Sequence, residues 1–82
     1  MRMHKNMTPT ELFGSAVKAE RKRLDLTQQK LAEFAGCGLT FVNQLERGKP
    51  SVRFDKLLQV LKVLGLSLIV AKGREVIAVK AP

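Results

Sequence analysis

The 82-residue sequence has one cysteine, Cys37, and one histidine, His4. A single cysteine excludes an intramolecular disulfide and suits a reducing compartment. One histidine close to the start leaves no metal-ligand spacing and no nucleophile–base pair to propose. A phosphate-cradling glycine loop is missing as well, so neither a cofactor, a metal nor an enzymatic activity is expected. Cys37 falls in a turn and reads as a small buried filler, not a reactive thiol. No apolar run approaches the ~20 residues needed to span a bilayer. The basic start leads into no signal-peptide apolar region, so a cytoplasmic location is expected. Internal repeats and low-complexity tracts are absent.

Acidic residues are scarce. Seven Asp and Glu face fifteen Lys and Arg, a formal net charge of +8. A field of that sign concentrates polyanions near the surface. Each phosphate neutralised by a cation releases counterions, which makes such binding salt-dependent. The length is that of one small domain. Alone it can bury only a modest core, so association with a second copy would help.

Residues 1–7 read as a flexible arm. Thr8, Pro9 and Glu11 form a helix start, with Thr8 as cap and Glu11 at the capping-box position. The helix runs to about Leu24, with Phe13, Val17 and Leu24 as its apolar stripe beside Leu12 and Ala16. Asp25 breaks the pattern and Leu26 re-enters the core. Thr27 caps a second helix, which buries Leu31, Phe34 and Ala35 and ends at Gly36. A third spans roughly 39–47, with Val42, Leu45 and either Phe41 or Leu39 inward. A fourth spans about 53–64, capped by Ser51, with Phe54, Leu57, Leu58, Leu61 and Leu64 as its stripe and Gly65 as its stop. Residues 66–71 and 76–79 are strand-like, separated by a turn at 72–75. A lone hairpin is marginal in water. It must lie on the helices, pair with a second copy, or do both.

The run Leu26-Thr27-Gln28-Gln29-Lys30-Leu31-Ala32-Glu33-Phe34-Ala35-Gly36, then residues 39–48, is a capped short helix, a glycine turn and a second short helix. That is the layout of a helix-turn-helix, whose second helix enters the major groove of DNA. The free N–H groups at the start of the first of these helices favour a phosphate, and Gln28 can add a donor to it. Gln29 is a further candidate for phosphate or a base edge. Gly38, Leu39, Thr40, Asn43 and Gln44 are the candidate base readers. An amide can pair bidentately with adenine, Thr or an apolar side chain can touch a thymine methyl, and Gly38 lets backbone and DNA approach closely. Arg47, Lys49 and Arg53 are candidate phosphate clamps, which give affinity and register but no sequence choice. Arg21 and Glu46 are placed to meet across helices and orient the reader.

At these residues the chain resembles the phage-repressor-like (Cro/C1, or Xre) helix-turn-helix family. The matching text is Val17-Lys18-x-x-Arg21-x-x-x-x-Leu26-Thr27-Gln28-x-x-Leu31-Ala32-x-x-x-Gly36, then Val42-x-x-Leu45-Glu46-Arg47-Gly48-Lys49 and Phe54-x-x-Leu57-x-x-x-Leu61-x-x-Leu64-Gly65. It covers about residues 10–66. The resemblance implies a mainly α, four- to five-helix lambda-repressor-like domain that binds palindromic operator DNA as a homodimer. It also implies a salt bridge between Arg21 and Glu46. Leu64-Gly65-Leu66-Ser67-Leu68-Ile69-Val70 is similar to the tail of HipB-type antitoxins, whose C-terminal strand pairs with its twin. Those proteins repress their own operon and bind a HipA-type kinase toxin. The resemblance thus implies an arm over 1–7, a DNA-binding domain over 8–65 and a dimerising β segment over 66–82, using Leu66, Leu68, Ile69 and Val70. It implies a nucleoid-associated repressor with a toxin partner; the alternative is a stand-alone Xre-type regulator.

Overall fold

Thr8 starts the first helix as its capping box requires: the Glu11 amide donates to Thr8 Oγ1 at 3.2 Å and the Thr8 amide donates back to Glu11 Oε1 at 2.9 Å. The computed structural model describes residues 7–71 and 76–80. Of the expected arm over 1–7 only Met7 is described; residues 1–6, the turn over 72–75 and the end at 81–82 lie outside the described residues. The elements are α1 (Pro9–Arg23), α2 (Gln28–Ala35), α3 (Leu39–Glu46), α4 (Phe54–Leu64), β1 (Ser67–Ala71) and β2 (Val76–Lys80). The architecture is mainly α, with a small antiparallel hairpin at its C-terminal end. Its register pairs Ser67 with Lys80 and Leu68 with Val79.

Asp25, at φ 59°, turns the chain between α1 and α2. Thr27 Oγ1 accepts from the Lys30 amide at 3.0 Å to start α2. Gly36, left-handed at φ 69°, ends α2. The short α2–α3 connection fixes the two helices against each other, while α3 also packs on α1 and α4 closes the other side of α2. Val17, Leu31, Val42, Leu45, Leu57 and Val60 are fully shielded and join all four helices in one core. The hairpin rests on this unit through Leu68 and Val79.

Several expected core positions lie outside it. In α2 the buried face is Leu31, Ala32 and Ala35, and Phe34 is 60% exposed. Small alanines let α4 approach closely, and this rotates Phe34 onto the flank beside Gln59, Lys62 and Val63. The α4 stripe is Leu57, Val60, Leu61 and Leu64, an i, i+3, i+4, i+7 set. Phe54 and Leu58 fall to one side of it, 57% and 42% exposed. Leu12 on α1 and Leu24, the residue that caps its end, are likewise exposed. In α3 Phe41 packs against the core and Leu39 is exposed. Ser51 does not cap α4; Arg53 occupies that position and makes no side-chain capping bond.

Gly14 stands in the middle of α1 for a reason of space. A Cβ there would lie 2.1 Å from the Leu45 carbonyl oxygen. The missing side chain allows the end of α3 to cross α1 at backbone contact.

Candidate nucleic-acid interface

Helical periodicity divides α3 into two faces. Val42 and Leu45 are buried, while Leu39, Thr40 and Gln44 are exposed and Asn43 is half-buried on the side toward α2. Gly38 is the N-cap, exposed, with open space where a side chain would stand. These five candidate readers therefore occupy one outward surface. Gln28 and Gln29 begin α2 beside it, half-buried and exposed respectively. Arg47, Lys49 and Arg53 are exposed along the end of α3 and the following loop.

Arg21 and Glu46 meet as a bidentate pair. Arg21 Nε donates to Glu46 Oε2 at 2.7 Å and Nη2 donates to Oε1 at 3.0 Å. The carboxylate side chain is only 2% exposed. Arg21 Nη1 donates also to the Leu26 carbonyl at 2.7 Å, which ties the α1–α2 turn to the same guanidinium. The hydrogen bond to Glu46 raises the Arg21 guanidinium above its already high ordinary pKa, so its charge persists at any working pH.

Gln28 is drawn into this arrangement. Its Nε2 donates to Glu46 Oε1 at 3.0 Å, and its Oε1 accepts from Asn43 Nδ2 at 3.4 Å. The sequence alone treats Gln28 as a phosphate donor and Asn43 as a separate reader. The fold links them to each other and to the buried carboxylate. Gln44, on the opposite flank, accepts from Lys49 Nζ at 3.2 Å.

Arg53 pairs with Asp55 at 2.7 Å, both largely exposed. The Arg53 guanidinium holds the Asp55 carboxyl below its usual range. So exposed a pair is weakly held, and a phosphate can take the place of Asp55. A shallow groove runs between α3 and the start of α4, lined by Thr40, Gln44, Lys49, Arg53 and Lys56. Lys56 is a cation that sequence reasoning missed. Its Nζ lies 5.9 Å from the Phe41 ring centre.

Cys37 is half-buried against the core, and burial pushes its thiol pKa up, in keeping with a filler. Among the described residues no three His, Cys, Asp or Glu side chains gather as a metal site. No described helix is long and apolar enough to cross a membrane.

The helix-turn-helix family profile matches residues 17–70, which includes the whole α2–turn–α3 unit. The chain belongs to the Cro/C1-type helix-turn-helix family. Among similar proteins, one from Sinorhizobium fredii, described as an uncharacterized HTH-type transcriptional regulator, y4mF, is 46% identical over 67 residues. The match spans 80% of this chain and 87% of that relative. In Cro/C1-type terms this is a helix-turn-helix transcription-regulator domain, with α2 and α3 as the two helices of the motif.

Proposed function

We propose that this helix-turn-helix protein is a dimeric, sequence-specific transcriptional repressor in the cytoplasm, associated with the nucleoid. The observation that carries the reading is the outward surface of α3, where Asn43 meets Gln28 at the start of α2 while Thr40 and Gln44 share a groove with the cations Lys49 and Arg53. Residues 8–65 form the DNA-binding part. Gly38, Leu39, Thr40, Asn43 and Gln44 face base edges; Gln28, Gln29, Arg47, Lys49 and Arg53 hold the backbone, with Lys56 added to them. Bound over or near a promoter, the protein excludes polymerase.

Dimerisation falls to the segment 66–82. A two-stranded sheet leaves each strand one open edge, which can template pairing with another chain. Val70 is 75% exposed and Ile69 40% exposed, on opposite faces of β1, so each face of the hairpin carries an apolar side chain open to a second copy. Leu66 and Leu68 are half-buried and anchor the strand to its own helices. Two copies joined in this way read a palindromic operator, with recognition helices about one DNA turn, roughly 34–36 Å, apart.

The role of antitoxin, with a HipA-type kinase toxin as partner and the shared operon as target, is supported by the likeness of residues 64–70 to HipB-type tails. The alternative is a stand-alone Xre-type regulator. A tagged pull-down at moderate salt separates them, since an antitoxin retains a stoichiometric kinase-like protein and a stand-alone regulator retains itself and DNA.

If Arg47 and Lys49 are phosphate clamps, replacing either by Ala weakens binding to every duplex alike. It also reduces the slope of log affinity against log salt by about one unit. Titrations of a specific and an unrelated duplex across a salt series check this. An unchanged slope rejects the clamp role.

A further inference from the structure

We propose that Glu46 and Gln28 are positioning residues that fix the direction in which the Asn43 side-chain amide faces, and so restrict that reader to adenine. The inference rests on the reading of α3 as the base-reading helix.

A primary amide has a donor end and an acceptor end of nearly equal shape, and a free one turns to suit either kind of base edge. Here chemistry removes the choice step by step. Arg21 is donor-only, and it grips both oxygens of Glu46. The Glu46 carboxylate is acceptor-only, so the end of Gln28 that meets it at 3.0 Å must be Nε2. That leaves Oε1 of Gln28 directed at Asn43, and an acceptor there admits only the Nδ2 end of Asn43. Polarity is thereby passed from a shielded ion pair to the recognition surface through one intervening side chain. The orientation of each amide follows from the acceptor-only carboxylate and from nothing else.

Asn43 keeps its Oδ1 and its second Nδ2 proton for a ligand, because no described residue donates to Oδ1. Adenine in the major groove offers an N6 amino donor beside the N7 acceptor, a match for that pair. Guanine presents two acceptors and thymine presents O4, so either would set a lone pair against Oδ1, and cytosine offers its N4 donor to Oδ1 without the adjacent acceptor that the second Nδ2 proton needs. A freely turning asparagine could avoid that clash by donating instead; the relay opposes the turn, which would set Oδ1 against Gln28 Oε1. Gln44 makes the contrast. Its oxygen is met only by the exposed Lys49, a flexible cation in water that restrains it weakly.

The test compares base preference at single operator positions for the wild type, Asn43→Ala and Gln28→Leu. The probe is a set of duplexes selected by the wild-type protein from a randomised pool. Gln28→Leu keeps the Arg21–Glu46 pair and cuts the relay; loss of a Gln28 phosphate contact would lower affinity for all bases equally and leave the ratios alone. At one position the wild type is expected to prefer A·T by roughly ten- to a hundred-fold. Asn43→Ala loses that preference, and Gln28→Leu loses most of it through gained binding of G and T relative to A. A preference lost in Asn43→Ala but intact in Gln28→Leu overturns the relay, as does a wild-type preference for G or T at the Asn43-dependent position. A preference intact in Asn43→Ala overturns instead the assignment of Asn43 as a reader. A second measurement needs no DNA. The side-chain amide signal of Asn43, identified by its absence in Asn43→Ala, is expected to be rigid by nuclear relaxation in the wild type and mobile in Gln28→Leu. Equal mobility in the two overturns the relay whatever the operator.

Discussion

Gly14→Ala is expected to destabilise the domain by about 1–3 kcal/mol or more, although alanine is the better helix former. The two effects have opposite signs, and their sizes decide the result. Helix propensity favours alanine by about 1 kcal/mol in a helix interior. Against this, the new Cβ would sit 2.1 Å from the Leu45 carbonyl oxygen and 3.1 Å from that of Glu46. Both obstacles are backbone, so no rotamer change relieves them. The end of α3 must move away from α1, and Glu46, which holds Arg21, moves with it. Thermal unfolding checks the sign. For a domain of this size each kcal/mol shifts Tm by roughly 4–8 °C, so a clear fall is expected. A Tm equal to or above that of the wild type would mean that α1 and α3 do not cross at this distance.

Glu46→Ala is expected to cost about 3–5 kcal/mol, because it leaves the Arg21 guanidinium shielded from water without its carboxylate. Removing Arg21 should cost a similar amount for the converse reason. Substituting both by apolar residues of similar volume, as in Arg21→Met with Glu46→Leu, should recover much of either loss, since the desolvation of both charges is then avoided. The double-mutant cycle on chemical unfolding reads the coupling directly. Groups in direct contact couple by about 0.5–3 kcal/mol. Additive losses, with no coupling, would show that the pair contributes nothing to the joint between α1 and α3.

These two sites differ in how far the sequence announces them. Arg21 and Glu46 carry complementary charge at positions that a family resemblance connects. Gly14 gives no comparable signal: a glycine inside a helix reads as a weakness until the path of α3 is known, and that path is a tertiary fact. The helices themselves were legible because local chemistry marks their ends, as Thr8, Thr27, Gly36 and Gly65 do. Which apolar residue of a stripe is buried was less so. Ala32 is buried and Phe34, expected inside, is exposed, because close packing of α2 on α4 favours the smaller side chain at the contact. Val60 enters the core and Phe54 leaves it because a rotation of α4 by part of a turn decides between them.

The candidate interface divides along the same line. That Leu39, Thr40, Asn43 and Gln44 share one side of α3 follows from the helical period. That Asn43 is tied to Gln28, and Gln28 to Glu46, does not, because the partners stand 15 and 18 residues apart in sequence. Lys56 was overlooked because α4 reads as a core helix, and its first turn borders the groove only once the loop after α3 is folded.

Two copies of the protein are proposed to read DNA through the outward face of α3. Selection from a randomised duplex pool, with the wild type and an Asn43→Ala/Gln44→Ala variant side by side, tests it most directly. The predicted result is an inverted repeat for the wild type, with half-site centres one helical turn, about 10–10.5 base pairs, apart. The variant should lose that motif while still binding duplex in a salt-dependent way. Recovery of the same motif by the variant, or of no motif by the wild type, would mean that α3 does not read the operator.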